Sequence, residues 1–327
     1  MGLLYLLNKK ESELALIEAK ASVRKEFWTS TTQEDDGAAY FPDVRGSKIR
    51  DSTLISHLGL THRIIRVLAT CAPGNIKTTL SALPMTRHLK GKTYRVCLTK
   101  MGDNVQFTEG ELANIIWHAQ KEPRVDLDHP GAIVDIVIAS AHAYIGLRVW
   151  ENTDDFQARR AHLLPSSHPS ATHPAIARAL VNIAGGKRVH DPFCGSGGFL
   201  IEGGLAGKRM SGADIEHDMI VRARQNCAAF KIKPELRVAD ATMWLPRCQG
   251  LVADLPYGKS TRPVALNNLV EAFLYRAAQS TSRVVLGAPH ELRFPKDWVV
   301  RAHATSYVHK SMTKHFYVLE KRIRRGE

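Results

Sequence analysis

Apolar and polar positions follow two periods along this 327-residue chain, one near two residues and one near three and a half. Residues 3 to 7 are an unbroken apolar run that predicts a buried strand. Ser12 to Val23 carries Leu14, Ile17 and Val23 among polar residues and predicts an amphipathic helix. Phe27 to Thr31 and Ala38 to Phe41 read as strands, with Gln33 to Gly37 between them as a polar turn. Ile76 to Leu89 reads as a helix that Pro84 interrupts, because proline removes a backbone donor and clashes with the preceding turn. Tyr94 to Leu98 alternates like a strand. Thr108-Glu-Gly-Glu111 is a capping box ahead of a helix from Leu112 to Gln120, and residues 133 to 139 and 143 to 149 predict a hairpin.

From residue 170 the pattern becomes regular. His173-Pro174 opens a helix with proline at a position where a missing N–H costs nothing. Strands over 189–191, 210–214, 236–239, 251–253 and 283–287 are separated by helices over 198–206, 218–230 and 266–278, except that two strands follow each other at 236 and 251. A hairpin of 298–305 and 314–321 closes the chain. This alternation predicts an α/β domain over 170–327, a doubly wound and mostly parallel sheet with a terminal antiparallel hairpin. Its ligand belongs beyond the carboxyl ends of the strands, at the switch point of the sheet. The remainder divides into a small α/β lobe over 1–50, an α/β block over 51–150 and a polar, proline-containing linker over 151–169.

The chemistry sits at the ends of those strands. Asp191 is followed by the turn Cys194-Gly-Ser-Gly-Gly198 and an apolar helix. Glycine there permits positive φ and lets a ligand approach the backbone. Asp214, about 20 residues on, is placed to accept two ribose hydroxyls. The turn lacks the full dinucleotide spacing, and a carboxylate at Asp191 repels pyrophosphate but suits an amine. A nucleoside with an amino group and no phosphate is implied, and S-adenosylmethionine answers that description. Phe193, Cys194, Gly195 and Gly197 of the turn, Ile215 beside Asp214, and Asp240-Ala241 for the adenine edge complete the expected cofactor contacts. A later strand ends in Asp254-Leu255-Pro256-Tyr257. A carboxylate and a backbone carbonyl accepting the two N–H bonds of an exocyclic amine would favour a pyramidal nitrogen, and an aromatic face would hold the base by stacking. Pro-Tyr-Gly also makes ordinary surface turns, so the tetrad gains meaning from the two upstream motifs.

Together with Phe156-Gln-Ala-Arg-Arg-Ala-His-Leu-Leu-Pro165, His168-Pro169, His173-Pro174 and Gly212-Ala-Asp214, these motifs resemble the archaeal tRNA guanine-10 N2-methyltransferases. Leu255 departs from the proline usual at the second position of the tetrad in that group. The resemblance implies a Rossmann-like class I methyltransferase domain behind an RNA-binding THUMP domain. It implies tRNA as partner, N2 of guanine 10 as target, and one or two methyl transfers. It is compatible with a small activating protein partner, and it makes His173 a candidate cofactor contact, with a capping or packing histidine as the other reading of that residue. Two alternatives stay open: an adenine N6 methyltransferase acting on RNA or DNA, and an RNA-binding adaptor with a vestigial fold.

Composition adds the partner class. A net charge of +13 suits a polyanion. Arg87, Lys90, Lys92, Arg95 and Lys100 are candidate phosphate contacts, as are Arg159 and Arg160 in the linker. The five cysteines form no C-x-x-C pair and are odd in number, which argues against a disulfide framework or metal site and for a reducing cytoplasm. No apolar run approaches membrane-spanning length.

Overall fold

A computed structural model describes residues 2–23, 32–42, 57–102, 106–120, 122–167, 172–255, 263–309 and 312–322. The predicted strand at Phe27 to Thr31 lies outside them. Two compact units emerge: Met1–Lys9, Thr29–Ser56 and Thr61–Asn152 form the first, and Lys10–Trp28, His57–Leu60 and Thr153–Glu327 the second. The second unit thus takes residues 10–28 and 57–60 from the chain that precedes the break at Asn152/Thr153.

In chain order the elements open with β1 (Leu3–Leu7), α1 (Ser12–Val23), β2 (Gln33–Asp35), β3 (Ala38–Phe41) and β4 (Thr61–Cys71). They continue with α2 (Ile76–Ala82), α3 (Met85–Leu89), β5 (Tyr94–Lys100), α4 (Glu109–His118), β6 (Ala132–Ile138) and β7 (Ala143–Glu151). The strands of the first unit form one seven-stranded sheet ordered β2-β3-β1-β4-β7-β6-β5. β1 pairs with both β3 and β4, so the strands of the predicted N-terminal lobe and of the block after it share one sheet. The polar turn at Gln33 to Gly37 begins with the short edge strand β2, and only its end turns. Alternation divides the faces of this sheet. Val134 and Ile136 pack with Ile76, Leu80, Met85, Leu112 and Ile116 under the helices, and Val137 packs with Ile65, Val67 and Tyr144 on the other side. The capping box at Thr108 forms as read, with each partner satisfying the other's backbone N–H.

α1 belongs to the second unit for an identifiable reason. The buried Glu18 carboxylate accepts from Gly59 N and Leu60 N, each at 2.8 Å, and from Asn182 Nδ2 at 2.8 Å. That unit continues with α5 (Pro174–Ala184), β8 (Arg188–Asp191), α6 (Gly198–Leu205), β9 (Arg209–Asp214), α7 (His217–Ala229), β10 (Glu235–Val238) and β11 (Gly250–Asp254). It ends with α8 (Pro263–Ala277), β12 (Arg283–Ala288), β13 (Trp298–His309) and β14 (Met312–Lys321). The sheet order is β10-β9-β8-β11-β12-β14-β13, and β14 runs antiparallel to both of its neighbours. The order reverses between β8 and β11, which is the switch point where a ligand is expected.

Period-two alternation also sets the direction of the side chains at that point. Leu251 and Ala253 pack with Val270, Phe273 and Leu274 of α8. Gly250, Val252 and Asp254 then face the opposite side, where a Cβ on Gly250 would press on the Ala184 carbonyl at the end of α5. Truncating Phe273, which is fully buried, would cost about 3–5 kcal/mol through the cavity it leaves.

Candidate active site

The Gly-rich turn between β8 and α6 has the backbone its sequence demands. Gly195 and Gly197 sit at φ +48° and +94°. A Cβ on Gly195 would meet nothing within 4 Å, so the backbone lies open to a ligand. One on Gly197 would stand 3.2 Å from the Ala223 Cα of α7. Cys194 N donates to the Ala213 carbonyl at 2.9 Å, and Gly195 N donates to Asp214 Oδ2 at 2.9 Å. Asn226 is a clamp that sequence reasoning missed. Its buried amide donates to Ser196 O and Ser166 O, each at 2.9 Å, and accepts from Ser166 N at 2.8 Å.

Strand ends deliver acids into one cavity of about 380 Å³. Its walls include Asp191, Phe193, Cys194, Gly195, Asp214, Ile215, Asp240, Ala241, Asp254 and Leu255. Asp191 is 1 % exposed. One carboxylate oxygen accepts from Phe193 N at 3.1 Å, while Oδ2 has no partner. Burial pushes this carboxyl well above the usual carboxylate range; the Phe193 N–H opposes the shift, and the charges of Asp214 and Asp254 add to it. A buried carboxylate oxygen without a donor is costly, and an incoming cationic or amino donor would relieve it. Asp214 reaches Glu216 N with Oδ1 at 3.0 Å, and Asp240 accepts from Thr242 N and Oγ1 at 2.8 and 2.7 Å.

Asp254 leaves β11 on the α5 side. Its Oδ2 accepts from Lys314 Nζ and from Thr172 Oγ1, and Lys314 Nζ also reaches Thr172 Oγ1 at 2.9 Å. Neither partner was legible as a site residue, since they lie 60 positions after and 82 before. One signal was present: Lys314 is a lone lysine in the alternation Met312, Lys314, Phe316, Val318, an inward position of its strand.

Proteins of known kind resemble this chain. The family described as UPF0020, RMKL-like, methyltransferase domain, matches residues 162–313. The tRNA (guanine(10)-N2)-dimethyltransferase of Pyrococcus abyssi is 33% identical over 219 residues, covering 61% of this chain and 65% of that one. That of Methanothermobacter thermautotrophicus is 26% identical over 98% of this chain and 100% of its own. A chain of Methanothermococcus thermolithotrophicus, described as a probable enzyme of the same name, is 30% identical over 45% of this chain and 98% of its own. The chain belongs to the tRNA (guanine(10)-N2)-dimethyltransferase family. The crystal structure of TrmN from Thermus thermophilus, 20% identical, covers 98% of this chain and all of its own with a TM-score of 0.52, and it carries the same class I, Rossmann-like fold.

Several residues expected in this family site lie elsewhere. His173 is the N-cap of α5: its Nδ1 accepts from Ala175 N at 3.2 Å, and it lines a smaller recess with Arg160 and His162. It is a helix cap, and the wall of the main cavity is supplied by its neighbour Thr172. Arg159 is not a solvated cation. It is bound to Glu202 and Asp154, each at 2.7 Å, and packs over the Phe156 ring. Arg178 holds the same Glu202 at 2.8 Å from the other side, so part of the predicted linker is fastened down by an ion-pair network. Arg160 is exposed. Arg87, Lys90 and Lys92 are exposed on α3 and the turn after it, and Arg95 follows on β5 with its guanidinium on the Leu127 carbonyl at 3.3 Å. Lys100 closes β5 five residues later, roughly 17 Å along the strand, so the five cations are not one cluster. Pro256 and Tyr257 lie outside the described residues. Among the described residues no helix is long and apolar enough to cross a membrane.

Proposed function

We propose that the chain transfers methyl groups from S-adenosylmethionine to the exocyclic N2 of a guanine in tRNA, at position 10, up to the dimethylated product. The observation that carries this reading is the convergence of Asp191, Asp214 and Asp254 on one cavity at the switch point of a methyltransferase fold. When bound, the cofactor supplies a methyl group already activated on a sulfonium, so the protein's work is mainly orientation.

The residues fit that cofactor. The unpartnered Oδ2 of Asp191 suits its amino group, and the open face of Gly195 leaves room beside the backbone. Asp214 suits the ribose hydroxyls, although here it also accepts from Gly195 N. Asp254 orients the target amine as an acceptor, and the Leu255 carbonyl takes the second N–H. The Leu255 side chain is fully buried and its N–H donates to the Gly287 carbonyl at 2.9 Å, which supports a role through the backbone alone. The sequence motif assigns Tyr257 to stack on the base. A base inside a helix must leave its stack to reach such a cavity.

The first unit, which includes most of the predicted THUMP region of 51–150, holds the tRNA through phosphate contacts. Arg87, Lys90 and Lys92 are candidates because they are exposed, as is Arg160 in the second unit. Cytoplasmic tRNA is the substrate pool.

The decisive experiment replaces guanine 10 of an unmodified tRNA transcript with inosine, which keeps the ring and lacks only the N2 amine. Methyl transfer should vanish with inosine and persist when neighbouring stem pairs are exchanged. Unchanged transfer to the inosine transcript would refute the target.

A further inference from the structure

We propose that Lys314 is the positioning residue of the target-amine site, its ammonium holding the Asp254 carboxylate fixed in direction. The inference rests on the reading of Asp254 as the acceptor for the amine.

Three observations carry it. Lys314 is 6 % exposed, and its Nζ lies on Asp254 Oδ2 and, at 2.9 Å, on Thr172 Oγ1. Removing an ammonium and a carboxylate from water costs more than their attraction usually returns, and a pair of apolar side chains would serve stability as well. A buried pair whose carboxylate lines the proposed reaction cavity therefore calls for a role other than stability. Second, Asp254 shares its cavity with Asp191 and Asp214, so three carboxylates crowd one low-dielectric space. Like charges so placed tend to push one another apart. A cation on Asp254 offsets that tendency. Third, the neighbourhood is cut to the pair. A Cβ on Gly287 would stand 2.8 Å from Asp254 Oδ1 and 3.2 Å from Lys314 Cε. Glycine at that point of β12 leaves both side chains their room. Thr172, immediately before α5, completes a three-way contact that fixes Oδ2 from a second direction.

With Oδ2 so held, the carboxylate cannot rotate freely, and its charge is balanced before a substrate arrives. Asp254 then orients the amine, and the proton released on methylation passes to solvent. Lys314 acts through Asp254 and need not touch the base.

The test uses the full chain with an unmodified tRNA transcript under single-turnover conditions, comparing Lys314→Met, Lys314→Arg and Gly287→Ala with the native protein. Lys314→Met should slow methyl transfer about 100-fold, the scale on which misplacement of a reacting group is felt. Its cofactor affinity and KM for tRNA should stay within about twofold of native, because only a transition-state contact is lost. Lys314→Arg keeps the charge and should recover much of the rate. Gly287→Ala keeps every charge, disturbs only the geometry of the pair, and should also slow transfer. A folded Lys314→Met with a near-native rate, or an Arg variant as slow as Met, would overturn the proposal. If thermal melting shows that Lys314→Met does not fold, a native rate in folded Gly287→Ala overturns it instead. A native protein that transfers no methyl to tRNA guanine would refute the reading of the site itself, before any variant is compared.

Discussion

Each unit buries an aspartate on a strand, and the two are treated in opposite ways. Asp135 on β6 is fully buried and saturated: Arg148 reaches it twice, at 2.8 and 2.7 Å, and Arg63 once at 3.1 Å. Asp191 at the end of β8 is 1 % exposed, has one backbone donor, and leaves Oδ2 with none. The first arrangement spends its charge inside the unit and stiffens a sheet face. The second leaves hydrogen-bonding capacity unspent at a cavity wall. Burial alone therefore does not separate the two acids; the unsatisfied oxygen at the cavity wall does.

Matched substitutions break or sharpen that contrast. The largest effect is expected at Asp135. Asp135→Asn strips the charge from two arginines and should destabilise the protein by about 3–5 kcal/mol in denaturant unfolding, the range for breaking a buried pair. Asp254→Ala comes next, with a loss of about 10²- to 10³-fold in methyl transfer and near-native tRNA affinity, as for removal of one preorganised group.

Asp191→Asn should behave as the mirror of Asp135→Asn. The folded-state carboxyl is raised, so its contribution to stability is present at low pH and is lost as pH rises through the raised value. Asparagine mimics the neutral acid, so the ligand-free variant should melt at or above the native temperature at neutral pH. Its cofactor affinity should fall by about 1.5–3 kcal/mol, the scale of a hydrogen bond to a charged group. In the native protein an amine favours the ionised form, so affinity should rise with pH and binding should release a proton, measurable by calorimetry in two buffers. Equal destabilisation by the two asparagine variants would erase the contrast.

The smallest effect concerns His190, buried beside Asp191 on β8. Burial lowers its pKa from 6.5 to about 4, against the opposing contact with Ser211. Its stabilising contribution is complete above 6.5 and disappears as pH falls toward about 4. His190→Gln should flatten the decline in melting temperature over that interval.

The sequence carries the parts of the site that depend on local rules. Glycines at 195 and 197 announce positive φ, acids at 191, 214 and 254 fall at strand ends, and the capping box at Thr108 forms as written. β4 escaped notice because bulges at Ile64/Ile65 and Val67/Ala69 break its alternation, although it is the long central strand of its sheet. The edge strand β2 is too polar to read as anything but a turn. Arg159 and Arg160 are indistinguishable in sequence, yet only one meets Glu202. The path of α1, the Asn226 clamp and the Lys314–Thr172–Asp254 contact all join residues at least 30 positions apart. No window of sequence contains both partners of any of them.

The most direct measurement is nucleoside mass spectrometry of an unmodified tRNA transcript incubated with the native protein and methyl-labelled S-adenosylmethionine. Label should appear as N2-methylguanosine and N2,N2-dimethylguanosine at position 10, and both should be lost with Asp254→Ala. Label in N6-methyladenosine, or undiminished guanosine methylation by Asp254→Ala, would contradict the assignment of this cavity to guanine N2.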